Sequence, residues 1–309
     1  MDQTVVFSNI FILFILLGMG YFAGRRGIVS ANATRDMTAL LLKITLPATV
    51  FSSMVRDFDA ELLRSGIQAL WLGALFLLLG LALVFPLARW LRVPQKQRGV
   101  WRFAAACPNN GFMGFPIILA VYGEDGLFLA ALINLDCTLI FYTIGVWLVS
   151  RDAAAGERLS LRGVLLSNVN LAMIAGLFFF LLQIQPPAFL TTAVGYLADI
   201  TTPLSMLVTG FSLAHDKPSD LFREKQAFSA ALTRLILLPL LFLLLIHLLP
   251  LDANALAPRV VVLNLAMPSA VLGLMLATQY NCDVDLAGKS IFFSSLLSAA
   301  TIPLLLLIL

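Results

Sequence analysis

Two apolar segments of the chain each carry a proline next to small polar residues. The first reads C-P-N-N-G-F-M-G-F-P from Cys107 to Pro116, and the second reads L-A-M-P-S-A from Leu265 to Ala270. Proline lacks an N–H group and clashes with the preceding helical turn, so each proline frees backbone groups that hydrocarbon cannot satisfy. Paired interruptions of this kind are typical of carriers that unwind two membrane helices around a central site.

The polar residues after each proline predict the ligand. Asn109, Asn110 and Gly111 follow the first proline and Ser269 follows the second, and these residue types cap a helix that restarts. A helix N-terminus carries about half a positive charge and several unpaired N–H groups, so two converging ends would suit a carboxylate. The sequence therefore predicts an organic anion as ligand. Unwound carbonyls before the prolines could instead coordinate a cation, so sodium coupling stays open.

Charged residues inside the apolar runs are candidates for ion coupling. Asp136 lies near the centre of its run, where an unpaired carboxylate is costly, and it is predicted to bind a coupling proton or ion or to hold neighbouring helices together. Lys43 and Asp199 begin the similar segments K-I-T-L-P and D-I-T-T-P. They could pair and support the site, or Lys43 could reach the headgroups. Arg234 is predicted to snorkel or to pair helices.

The elements that carry these residues are predicted to be membrane helices. Of 309 residues, 60% are apolar and 12% are charged, and the mean hydropathy is +0.96. A helix crosses a ~30 Å hydrocarbon core in ~20 residues. The apolar runs predict ten spans, at 3–24, 37–55, 65–88, 103–123, 126–149, 163–182, 188–214, 226–249, 260–282 and 290–309.

The distribution of basic residues predicts the orientation of these spans. Fifteen of the 20 basic residues fall in the odd-numbered loops and three fall in the even-numbered loops, Arg56, Arg64 and Arg259. Because cytoplasmic loops are enriched in lysine and arginine, the odd loops are predicted to be cytoplasmic and both termini periplasmic. The first span is predicted to be retained as a helix, since no signal-peptide cleavage pattern precedes its end.

The two halves of the chain resemble each other. The K-I-T-L-P and D-I-T-T-P segments, and Pro108 and Pro268, occupy corresponding places in the two halves. Because each half has five predicted spans, an odd number, the second half would enter the membrane with opposite polarity. We therefore predict one transmembrane domain over 1–309, with repeat one at 1–150, a cytoplasmic link at 151–162 and repeat two at 163–309.

Other functional classes lack support in the sequence. The cysteines at 107, 137 and 282 show no C-x-x-C spacing, so neither a metal site nor a disulfide framework is predicted. No basic block suggests nucleic-acid binding. An intramembrane protease using Asp136 and Asp199 would need a G-x-G-D context that is absent, so no enzyme is predicted. A membrane sensor or assembly protein without transport activity is the alternative from another class.

These features resemble the auxin efflux carrier family of membrane transporters. The likeness rests on the five-plus-five layout, on L-x-K-x-x-L-P-A-x-x-F from Leu41 to Phe51, on Pro108 to Pro116, and on N-L-A-M-P-S-A from Asn264 to Ala270. It implies a fold similar to sodium/bile acid symporters and sodium/proton antiporters, with spans 4 and 9 crossing and an elevator-like rocking motion. The implied substrate-binding positions are Pro108, Asn109, Asn110, Gly111, Asn264, Pro268 and Ser269.

The resemblance also implies a substrate class and a location. Plant members carry N-P-N-T-Y at the first break, whereas here Cys107 precedes the proline and Asn110-Gly111 follow it, so a carboxylate other than auxin is expected. The short fifth loop is similar to that of bacterial members. We predict a secondary carrier for a mono- or dicarboxylate such as malonate. The carrier is expected to lie in a bacterial inner membrane, where it can form a homodimer. A sodium-coupled, bile-acid-like symporter is the alternative within transport.

Overall fold

A computed structural model describes residues 3–150, 167–214 and 224–309, and every regular element in these ranges is helical. Its helices are α1 (Gln3–Arg25), α2 (Ala31–Leu40), α3 (Leu46–Met54), α4 (Ala60–Trp90), α5 (Arg98–Ala106), α6 (Phe115–Ile140), α7 (Val146–Ser150), α8 (Asn168–Leu182), α9 (Ala188–Leu213), α10 (Lys225–Leu232), α11 (Leu238–Leu248), α12 (Leu256–Leu265), α13 (Leu272–Gln279) and α14 (Val284–Leu306).

Several of these helices form stretches that are long and apolar enough to cross a membrane. In the described ranges, five stretches qualify: Asn32–Met54, Ala60–Trp90, Asn110–Ser150, Lys225–Leu248 and Val284–Leu306. The third is divided by Gly123, whose φ of 66° lies in the left-handed region that glycine adopts without strain. The chain is therefore an all-α membrane protein with several candidate spans, while the inverted repeat stays a prediction.

Four π-helical turns widen the helices of the described ranges, at Leu41–Thr45, Asn110–Gly114, Phe141–Gly145 and Thr233–Leu237. Three of them end two residues before a proline, namely Pro47, Pro116 and Pro239. Proline cannot donate the i→i−4 hydrogen bond and crowds the carbonyl four residues earlier. A π turn at this place moves that carbonyl out of the regular ladder, so the helix continues through the proline.

The described chain divides into two compact units, and each draws on both halves of the sequence. Of the described residues, unit 1 comprises 3–68, 111–135 and 167–214, and unit 2 comprises 69–110, 136–150 and 224–309. Both units depend on buried apolar side chains, such as Leu41 and Met54 in unit 1 and Phe76 and Trp101 in unit 2, all fully buried.

In unit 1, the two similar K-I-T-L-P and D-I-T-T-P segments lie on neighbouring helices. The Thr49 hydroxyl, in α3, donates to the Thr201 hydroxyl, in α9, over 2.7 Å. The two helices therefore meet through threonine hydroxyls, with Thr49 lying two residues after the first segment and Thr201 within the second. No ion pair within 4 Å joins Lys43 to Asp199, and both side chains are exposed.

The carbonyl of Lys43 shows how unit 1 accommodates Pro47. Pro47 supplies no N–H to the carbonyl four residues earlier. The side-chain amide of Asn168, at the start of α8, donates to that carbonyl over 2.9 Å. This bond ties α8 to the π turn that precedes α3.

Removing this bond should weaken unit 1. We expect Asn168→Ala to lower the free energy of unfolding by about 1 kcal/mol, because the Lys43 carbonyl loses a partner that Pro47 cannot replace. A thermal melt of the purified variant measures the effect, and Asn254→Ala, at an exposed asparagine outside the helices, is the control. An unchanged Tm for Asn168→Ala would contradict this account of the proline.

In unit 2, α5 is held by a polar contact as well as by apolar packing. The Trp101 indole is fully buried, and its Nε1–H lies 2.9 Å from the Ser229 hydroxyl and 3.1 Å from the Gln226 carbonyl, both on α10. The Phe76 and Phe242 rings stack with centroids 5.1 Å apart. The Trp101 contacts hold α5, which leads into the first break, against α10, and the ring stack joins α4 to α11.

Candidate functional site

The two proline-containing breaks of the chain contact each other directly within unit 2. α5 ends at Ala106, and α12 ends at Leu265. The Asn109 amide donates to the Pro268 carbonyl over 2.7 Å, and the Ala270 amide donates to the Cys107 carbonyl over 2.9 Å. These two bonds form an isolated antiparallel bridge between Pro108 and Ser269.

This bridge explains how the breaks persist in a buried environment. An unpaired backbone group in an apolar medium is costly, so a broken helix must find other partners for its freed N–H and C=O groups. Here each break supplies a donor and an acceptor to the other. Pro108 and Pro268 are therefore brought together by backbone pairing, and we name this paired region, 107–109 and 268–270, the crossover.

Ser269 fixes the crossover with both of its donors. Its amide donates to the Ser294 hydroxyl over 2.9 Å, and its hydroxyl donates to the Ala104 carbonyl over 2.7 Å. Because Ser269 is fully buried and these donors are already engaged, the geometry assigns it to holding the break. The backbone amides of Asn109 and Ala270 are engaged in the same way, so these two N–H groups hold the crossover as well.

Arg234 is the charged residue of the crossover. It lies in the π turn Thr233–Leu237 and is fully buried. Its Nε donates to the Met267 carbonyl over 2.9 Å, its Nη1 donates to the Ala106 carbonyl over 2.7 Å, and its Nη2 donates to the Leu265 carbonyl. The guanidinium thus binds the carbonyl ends of both half-helices that enter the crossover. It pairs helices, and the snorkelling alternative is wrong.

Two buried asparagine side chains flank the crossover with their polar atoms unused. Neither side-chain amide atom of Asn264, in the last turn of α12, has a hydrogen-bond partner among the described residues, and the side chain is fully buried. The side-chain amide atoms of Asn110, which is 3% exposed, also lack a hydrogen-bond partner among the described residues, apart from an interaction with the Cys137 thiol. A thiol is a weak hydrogen-bonding group. Each unsatisfied amide costs about 1–3 kcal/mol, so these two amides are available for a polar ligand.

The remaining predicted site residues take no part in the hydrogen bonds of the crossover. Asp136, in α6 and unit 2, is half-buried, and its Oδ2 atom is buried without a partner in the described part of the chain. Gly111 lies in unit 1, where a Cβ added to it would be 3.4 Å from the Leu46 side chain. Lys43 and Asp199 also belong to unit 1 and are exposed.

A separate groove in unit 2 contains none of the predicted site residues. It has a volume of about 510 Å³, and its lining includes Leu78, Leu81, Phe85, Ile144 and Trp147. A carboxylate needs hydrogen-bond donors, and this lining is almost entirely apolar. The groove is therefore unsuited to the predicted ligand.

Sequence reasoning did not identify Arg234 and Ser294 as partners of the crossover. Both come from helices other than the two broken ones, and nothing near them in the sequence resembles the proline motifs. Arg234 could have been identified from two features of the sequence. It is a charged residue in an apolar run, and the prolines of other runs leave several carbonyls without a donor. A buried guanidinium has five donors with which to satisfy them.

Comparison with known proteins places the chain among membrane transporters. A family model described as membrane transport protein matches residues 5–160 and 157–306. An uncharacterized transporter of Methanothermobacter thermautotrophicus is 29% identical over 297 residues, covering 94% of each chain. The Escherichia coli uncharacterized transporter YfdV is 26% identical, covering 97% of this chain and 96% of the relative. A Rhizobium meliloti protein named "Putative malonate transporter" is 24% identical, covering 94% and 91%.

Proposed function

The chain belongs to the membrane transport protein family, to which the auxin efflux carriers also belong, and we propose that it is a secondary carrier of a small organic anion, a mono- or dicarboxylate such as malonate. It is a transporter and not an enzyme. The observation that carries the substrate class is the pair of buried side-chain amides at Asn110 and Asn264, which have no described partner apart from the weak contact of Asn110 with the Cys137 thiol. The name of the Rhizobium meliloti relative supports malonate as the first substrate to test.

In this proposal the site residues have three roles. The Asn110 and Asn264 side-chain N–H groups donate to the substrate carboxylate, and Asn109 and Gly111 shape the chain where it restarts after the break. Pro108, Pro268 and Ser269 keep the crossover open and paired. Amide donors to a charged oxygen form hydrogen bonds about twice as strong as those between neutral groups. The site would therefore prefer an ionised carboxylate over a neutral acid.

The finer architecture is part of the same proposal. Ten spans form two inverted five-helix repeats, and a rocking or elevator motion exposes the crossover alternately to the two sides. Lys43 and Asp199 tune or support the site, and the carrier acts as a homodimer in the bacterial inner membrane with both termini periplasmic. The 15-to-3 division of basic residues supports this orientation.

Uptake into proteoliposomes tests the function. Purified protein is reconstituted with an imposed pH gradient, with an imposed sodium gradient, or with neither, and uptake of labelled malonate is compared with uptake of labelled neutral solutes of similar size. We expect saturable malonate uptake that unlabelled mono- and dicarboxylates compete away and that neutral solutes do not. Binding of malonate without flux in any gradient would instead favour a sensor.

Asp136 is proposed to carry the coupling proton. Its buried Oδ2 atom has no described partner, so a proton is the simplest way to satisfy the carboxyl inside the membrane. We expect Asp136→Asn to abolish the stimulation of malonate uptake by a pH gradient while exchange of internal for external malonate continues. Asp36→Asn, at an exposed position, should keep the stimulation. Full stimulation in Asp136→Asn would remove this role.

A further inference from the structure

The carbonyl groups at the crossover are the oxygens that a coupling cation would need. In carriers with broken helices, unwound carbonyls and the C-terminal ends of half-helices coordinate sodium. The equivalent groups here are the carbonyls of Ala106, at the end of α5, of Leu265, at the end of α12, and of Met267, two residues beyond that end. All three accept hydrogen bonds from Arg234.

Three further carbonyls near the crossover also have donors. The Cys107 carbonyl accepts from the Ala270 amide, and the Pro268 carbonyl accepts from the Asn109 amide. The Ala104 carbonyl, one turn earlier in α5, accepts from the Ser269 hydroxyl. A metal cation would therefore have to displace a protein donor for each of these oxygen ligands.

The charge of Arg234 makes such displacement unfavourable. A guanidinium stays protonated in proteins, and this one is fully buried. In the part of the chain that the structure describes, no carboxylate lies within 4 Å of it. Its counter-charge is the partial negative charge at the C-terminal ends of α5 and α12. A second cation at the same carbonyls would meet a positive charge already in place.

We propose that Arg234 is a resident cation of the crossover, which occupies the place of a coupling sodium ion and makes the carrier independent of sodium. This inference deepens the proposed function and rests on it for its consequence in transport. The observation behind the inference is the position of the guanidinium among three carbonyls. Independence of sodium would distinguish this carrier from a sodium-coupled symporter.

Chemical rescue tests the resident cation. Arg234→Ala removes the guanidinium and leaves a space beside the three carbonyls, so its Tm in detergent, without any organic anion, should fall by several degrees. Guanidinium chloride at non-denaturing concentration should raise that Tm towards the wild-type value, whereas sodium chloride or urea at the same concentration should not. Arg89→Ala, which removes an exposed arginine, is the control and should gain nothing from guanidinium.

The results that overturn the proposal are specific. They are a wild-type Tm for Arg234→Ala, no response of the folded variant to guanidinium, or a rise in the wild-type Tm when sodium replaces potassium at constant ionic strength. If Arg234→Ala does not fold, Arg234→Lys is compared with Arg234→Gln. Lysine keeps the charge and should give the higher Tm, and equal values would overturn the proposal.

The transport readout separates this inference from the proposed function. Wild-type malonate uptake should be the same in sodium and in potassium, and Arg234→Ala should reduce it by about tenfold or more, with partial recovery in guanidinium. Sodium-stimulated uptake would overturn the resident cation and leave the anion carrier standing. Guanidinium rescue of Tm in a protein that moves no organic anion would support the resident cation and contradict the carrier.

Discussion

Replacing Asn264 with leucine is expected to lower the ratio of maximal rate to KM for malonate uptake by about 10–100-fold, the effect of losing hydrogen bonds to a charged group worth about 1.5–3 kcal/mol. The same substitution should leave the Tm unchanged or raise it. Both side-chain amide atoms of Asn264 are buried without partners, so an apolar side chain of similar branched shape removes a desolvation cost.

The opposite directions of these two effects make the prediction specific. Replacing a structural asparagine would lower the Tm of the protein, whereas replacing a ligand-binding asparagine would lower only its malonate uptake. Asn254→Leu, at an exposed asparagine whose side chain accepts from Arg259, is the matched control and should change uptake little. If Asn264→Leu transports malonate with wild-type kinetics, the assignment of the buried amides to the carboxylate is wrong.

The largest loss of stability is expected from Gly210→Ala, in α9. A Cβ at Gly210 would meet the Leu17 carbonyl oxygen and would lie 2.6 Å from the Tyr21 amide nitrogen, both backbone atoms of α1. Across the same contact, a Cβ at Gly20 would lie 2.9 Å from the Leu207 Cα. Backbone cannot rotate away as a side chain can, so α1 and α9 must separate. The expected cost is about 2–3 kcal/mol of unfolding free energy.

Two other glycines on the same helices provide controls. A Cβ at Gly195, in α9, or at Gly18, in α1, meets no atom within 4 Å. Gly195→Ala and Gly18→Ala should therefore keep or slightly raise the Tm, since alanine is the better helix former. Thermal melts of Gly210→Ala, Gly195→Ala and Gly18→Ala make the comparison. A Tm for Gly210→Ala equal to that of Gly195→Ala would contradict the close packing of α1 on α9.

The helical character of the chain could be predicted from composition and from the length of the apolar runs. The breaks after Ala106 and Leu265 could also be predicted, because proline removes a donor wherever it occurs. The π turns could not, since they depend on which carbonyl each amide selects in the folded helix. The contact between Gly20 and Gly210 was equally hidden, because a glycine in an apolar run does not identify the helix that packs against it.

The sequence predicts which residues belong to the candidate site better than it predicts what each of them contacts. Asn110 and Asn264 were named from the motifs around the prolines, and their unused amides lie beside the crossover. Ser269 was named for the ligand, yet its donors are engaged by Ala104 and Ser294. A sequence shows that a serine can donate, but only coordinates show to which acceptor. For the same reason, Arg234 could not be matched with carbonyls of two other helices.

The most direct measurement is the response of the asparagine side-chain amides to malonate. Protein carrying ¹⁵N-labelled asparagine is placed in lipid nanodiscs, and its side-chain amide signals are assigned by single substitutions. On addition of malonate, we expect the Asn110 and Asn264 signals to shift saturably and the Asn254 signal not to shift. Unmoved Asn110 and Asn264 signals at malonate concentrations that saturate uptake would contradict the claim that these buried amides hold the transported anion.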